Sequence, residues 1–285
     1  MPSGAQLLVK DFSHDRRPVV QRKERVRVAV VSVGQRSLPW LLPVGLFATW
    51  YVATKYRFID PTFLPAPGDV LSGFWSVSQT GEVWNDLGIS TARALGGLAI
   101  GGSIGFALGV LNGLSPLAAK LLDTTLQMVR NIPILALVPL AILWFGIGES
   151  AKLFLIALGV FFPIYLNTYH GIRNVDAKLI EMARSYGLRG PRLVAAVIFP
   201  GALPSILVGL RYALGIMWLV LIVAEMVSAS SGIGYMTMNA RDDMQTNIVV
   251  LGILIYALLG KLADLLALGL EWRFLRWHHA YAKPR

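Results

Sequence analysis

Apolar residues along the 285-residue chain come in long blocks rather than in alternation. Six blocks predict membrane-crossing helices, at 38–53, 94–114, 131–147, 153–169, 203–227 and 248–267. A helix needs ~20 apolar residues to cross the hydrocarbon core, so the first and third must be extended. The third carries Pro133 and Pro139. These predict a kink whose freed carbonyls neighbouring helices must satisfy.

Polar positions then set the orientation. With both termini on the cytoplasmic side, nineteen Lys and Arg fall in inner segments and five in outer ones. That asymmetry favours an even number of spans. Residues 1–36 form a basic cytoplasmic tail suited to acidic lipid, 37–272 a transmembrane domain, and 273–285 a second basic tail. The first apolar block, behind its basic tail, reads as a retained signal anchor rather than a cleaved leader. The longest outer segment contains FLPAPGDVLSGFW, which predicts an interfacial helix with Trp75 and Trp84 at the membrane surface.

Composition sharpens the class. Residues counted as hydrophobic make up 55% before the 28 glycines are added, above the ~45–50% of soluble domains, a figure that includes glycine. The fold class is therefore all-α, polytopic and membrane-embedded. The net charge of +10 does not indicate nucleic acid, because the basic tail lacks interleaved aromatics for stacking bases. No cysteine is present, which excludes disulfides and thiolate metal sites.

Two features within the spans stand out. Gly97, Gly101, Gly105, Gly109 and Gly113 recur every fourth residue, giving one slowly drifting face without side chains. Such a face lets another helix approach closely, either within the subunit or at a seam between subunits. Arg211 and Glu225 lie in the fifth span, about 40° apart in azimuth and about 21 Å apart along the axis. They cannot pair with each other. One reading makes them a polar stripe along a solute path; the other puts Glu225 at the outer interface and pairs Arg211 with another helix. Lys261 and Asp264, one turn apart, are positioned to pair together.

Chemistry for catalysis is missing. No G-x-x-x-x-G-K-[ST] phosphate cradle occurs and no nucleophile elbow. His14, His170, His278 and His279 show no metal-ligand spacing. The chain reads as a transport subunit rather than an enzyme, with no cofactor or metal of its own.

Between the fourth and fifth spans lies EMARSYGLRGPRLVAAVIFPGAL, polar and punctuated by glycine and proline. Asp176 to Tyr186 predict a short helix that Gly187 terminates in a left-handed conformation, with Gly190-Pro191 and Pro200 turning the chain back to the membrane. Glu181-Met182-Ala183, three residues, Gly187, nine residues and Val197-Ile198-Phe199-Pro200 resemble the EAA-x3-G-x9-I-x-LP pattern of ATP-binding-cassette importer membrane subunits. The stretches RNIPILALVPLAILWFGIGESAK, FPIYLNTYHGIRNVD, FPGALPSILVGLRYALGIMW and YALLGKLAD resemble, more narrowly, permeases of the aliphatic-sulfonate branch, which also serves taurine, nitrate and bicarbonate.

That resemblance implies a type I importer permease fold. It implies two permease copies, a cytoplasmic ATPase dimer that binds ATP and Mg, and an extracytoplasmic solute-binding protein. Coupling would fall to Glu181, Met182, Ala183, Gly187 and Pro200 in a loop at 171–200, and Arg211 and Glu225 would mark the solute path. The competing class is a stand-alone secondary carrier or channel. It works without ATP and calls for inverted repeats or helices broken at the midplane; no internal repeat is visible.

Overall fold

The structure is a computed structural model that describes residues 40–277. The chain divides at Pro61 into two units. In the first, residues 40–55 form helix α1, a described length of 16 residues. Thr54 Oγ1 turns back onto the Trp50 carbonyl at 3.0 Å in its last turn.

The second unit is all helix and turn among the described residues. Its elements are α2 (Pro67–Gln79), α3 (Glu82–Leu114), α4 (Pro116–Arg130), a 3-10 turn (Ile134–Leu137) with α5 (Val138–Phe145), and α6 (Glu149–Arg173). Then come α7 (Ala177–Ser185), α8 (Gly190–Leu193), a π-turn (Val194–Ile198), α9 (Phe199–Ser228), α10 (Ile233–Asp242) and α11 (Thr246–Phe274). Four helical runs are long and apolar enough to cross a membrane: α3, α6, the continuous run Gly190–Ser228 and α11. They coincide with the second, fourth, fifth and sixth expected spans. A helix stands where one was expected after the first span, α2, where Asp69 accepts from the Ala66 N–H at 3.2 Å; Trp75 on α2 and Trp84 in the first turn of α3 are exposed.

The third expected span needs correction. The run 131–147 is not one helix. α4, unanticipated, ends at Arg130, and the Ile134–Phe145 segment leaves it at 82°. Proline at 133 disfavours helical backbone at Ile132, so the apolar block breaks there. Gly146 at φ +74° then closes α5.

α6 is the axle of the bundle: 61% of its apolar window is buried, against 17% for α11. α3 lies parallel to it, because the glycine stripe removes everything between the two backbones. A Cβ on Gly105 would sit 2.6 Å from the Phe161 carbonyl oxygen, and one on Gly109 2.9 Å from that of Tyr165. A Cβ on Gly101 would overlap the Ala157 backbone, and one on Gly97 the Ile156 side chain. One on Gly113 would come 2.8 Å from Ile172. All five glycines thus face α6 of the same chain. α9 returns antiparallel on the other side, with Gly209 against Asn167 and Pro163 and Gly159 against Val220. α11 runs beside α9, and α10 covers the end of the bundle farthest from α7.

Candidate functional site

Local chemistry builds the hairpin 174–198. The Asp176 carboxylate accepts from the Lys178 N–H at 2.9 Å and caps α7. At the other end, Leu188 N–H donates to the Ala183 carbonyl at 3.0 Å and Gly187 N–H to that of Arg184 at 2.9 Å. These two bonds make a Schellman closure, which requires the left-handed backbone found at Gly187, φ +86°. Ala183 is buried, whereas Glu181, Met182 and Tyr186 project from the hairpin. The small residue seats the short helix on its own return limb, and the larger ones remain free to meet another surface.

Pro200 acts differently from the expectation. It does not turn the chain but lies within the continuous run Gly190–Ser228. Its missing N–H and its ring are incompatible with an ordinary turn over Ala196. The preceding residues accordingly widen into a π-turn, in which Phe199 N–H reaches the Val194 carbonyl.

At the far end the bundle contains a buried ionic network. All five N–H groups of Arg93 are used. Nε and Nη2 grip the two oxygens of Glu149, each at 2.6 Å. Nη1 reaches Glu225 Oε1 at 2.8 Å and the Ser231 carbonyl at 2.6 Å, and Nη2 also reaches Ser231 Oγ at 3.0 Å. Glu225 further accepts from Ser90 Oγ at 2.8 Å, Gly234 N–H at 3.0 Å and the Tyr256 hydroxyl at 2.9 Å. Lys152 adds a second cation at 2.8 Å from Glu149. The first N–H groups of α10 end on Asp86, Ser90 and Glu225, so its orphan donors and positive dipole end face acceptors. This single knot joins α3, α6, α9, α10 and α11.

Arg211 and Glu225 do share a side of α9, the side toward α11, but not one open path. Arg211 Nε donates to Asp264 Oδ1 at 2.7 Å and its Nη1 lies 4.0 Å from Glu271. The guanidinium borders a groove of about 600 Å³ with Tyr212, Gly215 and Leu219. Glu225 is enclosed by α3 and α10, only 1% exposed, so the idea that it lines an accessible path is corrected for this conformation. Lys261 Nζ lies 3.2 Å from Asp264, as their spacing suggested.

Sequence reasoning missed Arg93, Ser90, Glu149, Lys152 and Tyr256. Arg93 and Lys152 are two of the five outer-segment bases in the sequence, because the expected apolar blocks at 94–114 and 153–169 begin just after them. α3 in fact starts at Glu82, more than two turns earlier. The available signal was a set of charges in the first turns of two apolar spans. Among the described residues no cluster of His, Cys, Asp or Glu could hold a metal ion. His14, His278 and His279 lie outside them.

Comparison with known proteins agrees with these features. Over 246 residues the chain is 59% identical to the putative aliphatic sulfonates transport permease protein of Escherichia coli K12, covering 86% of this chain and 94% of that protein. It is 44% identical over 252 residues to the protein of the same description from Bacillus subtilis 168, covering 87% and 91%. The taurine transport system permease protein of Escherichia coli K12 is 32% identical over 277 residues, covering 95% and 98%. Residues 97–276, from the glycine stripe through the end of α11, match the family described as binding-protein-dependent transport system inner membrane component. The chain belongs to that family, as a multi-pass permease of the inner membrane.

Proposed function

We propose that this permease forms the translocation path of an ATP-driven importer for aliphatic sulfonates, and that its hairpin receives work from a separate cytoplasmic ATPase dimer. The hairpin carries the proposal: Glu181, Met182 and Tyr186 stand out from a short helix locked at both ends. A rigid projection of this kind transmits displacement, which a flexible loop would absorb. The substrate class rests on the high identity to the sulfonate permeases. The relation to a taurine permease over nearly the whole chain supports a second reading within the same chemistry, an aminosulfonate.

The remaining assignments follow from that arrangement. ATP and Mg bind on the partner ATPase. Two copies of the permease enclose the path, and an extracytoplasmic binding protein delivers the solute to the far end. Both termini and the hairpin lie on the cytoplasmic side, where Arg173, Lys178, Arg184, Arg189 and Arg192 satisfy the positive-inside rule. The basic tails at 1–36 and 273–285 contact acidic lipid. Arg211 lies on the wall of the path, and the knot around Glu225 ties the helices of each copy together at the far end. A stand-alone carrier shares one feature with this protein, a helix broken at 131–133, but would have no use for the hairpin.

The test is uptake of radiolabelled ethanesulfonate into liposomes that hold this chain, its ATPase and its binding protein, with ATP inside. Gly187→Trp is expected to lower ATP-dependent uptake at least tenfold. A side chain at φ +86° is strained, costing ~1–2 kcal/mol at that residue, and the bulk would push the hairpin out of the ATPase groove. Uptake indifferent to both ATP and the substitution would transfer the protein to the secondary-carrier class.

A further inference from the structure

Arg211 is poorly suited to hold the transported anion, because Asp264 already neutralises it and Glu271 lies nearby. A different guanidinium is available. Arg130, one of the nineteen inner-segment bases by its place in the sequence, is the last residue of α4 and is set by the structure beside the middle of the bundle instead. It has no hydrogen-bond or ion-pair partner among the described residues. It borders a pocket of about 340 Å³ together with Ile134, Phe162, Asn167, Tyr212 and Ile216. These residues come from the middle of α6 and of α9, so the pocket lies halfway along the two central helices.

Two physical constraints converge on this place. An unpaired guanidinium at that depth cannot face hydrocarbon without great cost, so it must face protein or a water-filled cavity. The break between α4 and the 3-10 turn imposes the same condition. Residues 131–133 are non-helical and exposed, and irregular backbone at membrane depth is tolerated only where it lines a cavity or is covered by protein. Both features therefore face protein or water rather than lipid, and the pocket that Arg130 borders is the space beside them.

We infer that Arg130 and Tyr212 form the anion-holding subsite of the path, with Arg130 supplying the charge. This rests on the importer reading given above and specifies its solute contact. A guanidinium presents parallel N–H donors that match two oxygens of a tetrahedral oxyanion, and a sulfonate head meets that fork. Tyr212, which borders the same pocket, brings a hydroxyl that can serve as a further donor. Ile134, Phe162 and Ile216 offer an apolar floor for a short alkyl tail. The volume is at the small end of ordinary ligand pockets, as befits a transient stop rather than a store. Arg211, bound to Asp264 on the adjoining groove, shapes the wall without bearing free charge. Tyr212 and Ile216 border both cavities, so the subsite opens onto that groove.

The test uses the complete reconstituted importer with ethanesulfonate as probe. It compares the unsubstituted chain with Arg130→Gln and Arg130→Lys and reads uptake and binding-protein-stimulated ATP hydrolysis in parallel. Arg130→Gln is expected to lower uptake at least tenfold while stimulated hydrolysis stays within twofold, and Arg130→Lys is expected to keep at least a third of the uptake. Arg130→Gln that imports at the unsubstituted rate would overturn the assignment and leave the importer reading intact. Loss of uptake and hydrolysis together in both variants would overturn it too, by making Arg130 a residue of the fold. An unsubstituted complex that imports neither ethanesulfonate nor taurine would bring down the functional reading itself, and this subsite with it.

Discussion

Arg93→Met is expected to destabilise the permease by about 3–5 kcal/mol, the usual cost of leaving one partner of a buried ion pair uncompensated. Glu225 is acceptor to every neighbour it has, namely Ser90, Arg93, Gly234 N–H and Tyr256. Without Arg93 its hydrogen bonds largely survive but its countercharge does not. Glu149, released at the same time, keeps Lys152 and is 57% exposed, so most of the loss arises at Glu225. Glu225→Gln is expected to cost less, roughly 1–3 kcal/mol. Its amide must turn an NH2 toward donors, while Arg93 remains paired with Glu149. The double variant should lose less than the sum of the two, by at least about 1 kcal/mol, because the groups touch. Unfolding of the detergent-solubilised protein in increasing dodecyl sulfate, followed by far-UV circular dichroism, measures all three. Additive effects, or an Arg93→Met as stable as the parent, would mean that the ionic knot does not hold the far end together.

The same knot marks the limit of what could be seen in the sequence. Its bonds join residues 56, 132 and 135 positions apart, and no local pattern encodes such meetings. Glu225 was singled out only as a charge in an apolar run, without partners. What depends on neighbouring residues was legible. The hairpin is defined by a cap at Asp176 and a left-handed stop at Gly187, both local, and the structure has both. The glycine stripe announced a close approach but could not name the opposing helix, because α6 begins more than thirty residues after α3 ends. α4 escaped notice because Lys120, Asp123 and Arg130 make its 15 residues look like a connection. The apolar block after it therefore reads as one kinked crossing by itself rather than as the second arm of a bent pair. Pro133 announced the bend at that point, but not its size.

The bend and the stripe together explain how one short chain spans the membrane with a solid core and a polar interruption. α3 and α6 supply the rigid pair, so that α4 and α5 can break without loss of the fold. That division predicts a sharp contrast among glycines of a single helix. Gly101→Leu is expected to prevent accumulation of folded permease, and Gly101→Ala to cost about 3 kcal/mol, near the top of the range for overpacked sites. The Cβ at Gly101 alone would overlap the Ala157 backbone, and backbone cannot rotate aside as a side chain does. Either α3 and α6 separate along their whole seam, losing the contacts that replace hydrophobic association in lipid, or the substituted helix bends. Gly105→Ala should behave similarly, since its Cβ would lie 2.6 Å from the Phe161 carbonyl oxygen. Gly88→Ala provides the comparison. That residue lies in the same helix with nothing within 4 Å of a new Cβ, so the change should stabilise by about 0.5–1 kcal/mol through helix propensity alone. Folded yield by fluorescence-detected size exclusion, with unfolding transitions for the variants that accumulate, separates the two sites. Equal behaviour at Gly88 and Gly101 would mean that the seam between α3 and α6 is looser than its glycines require.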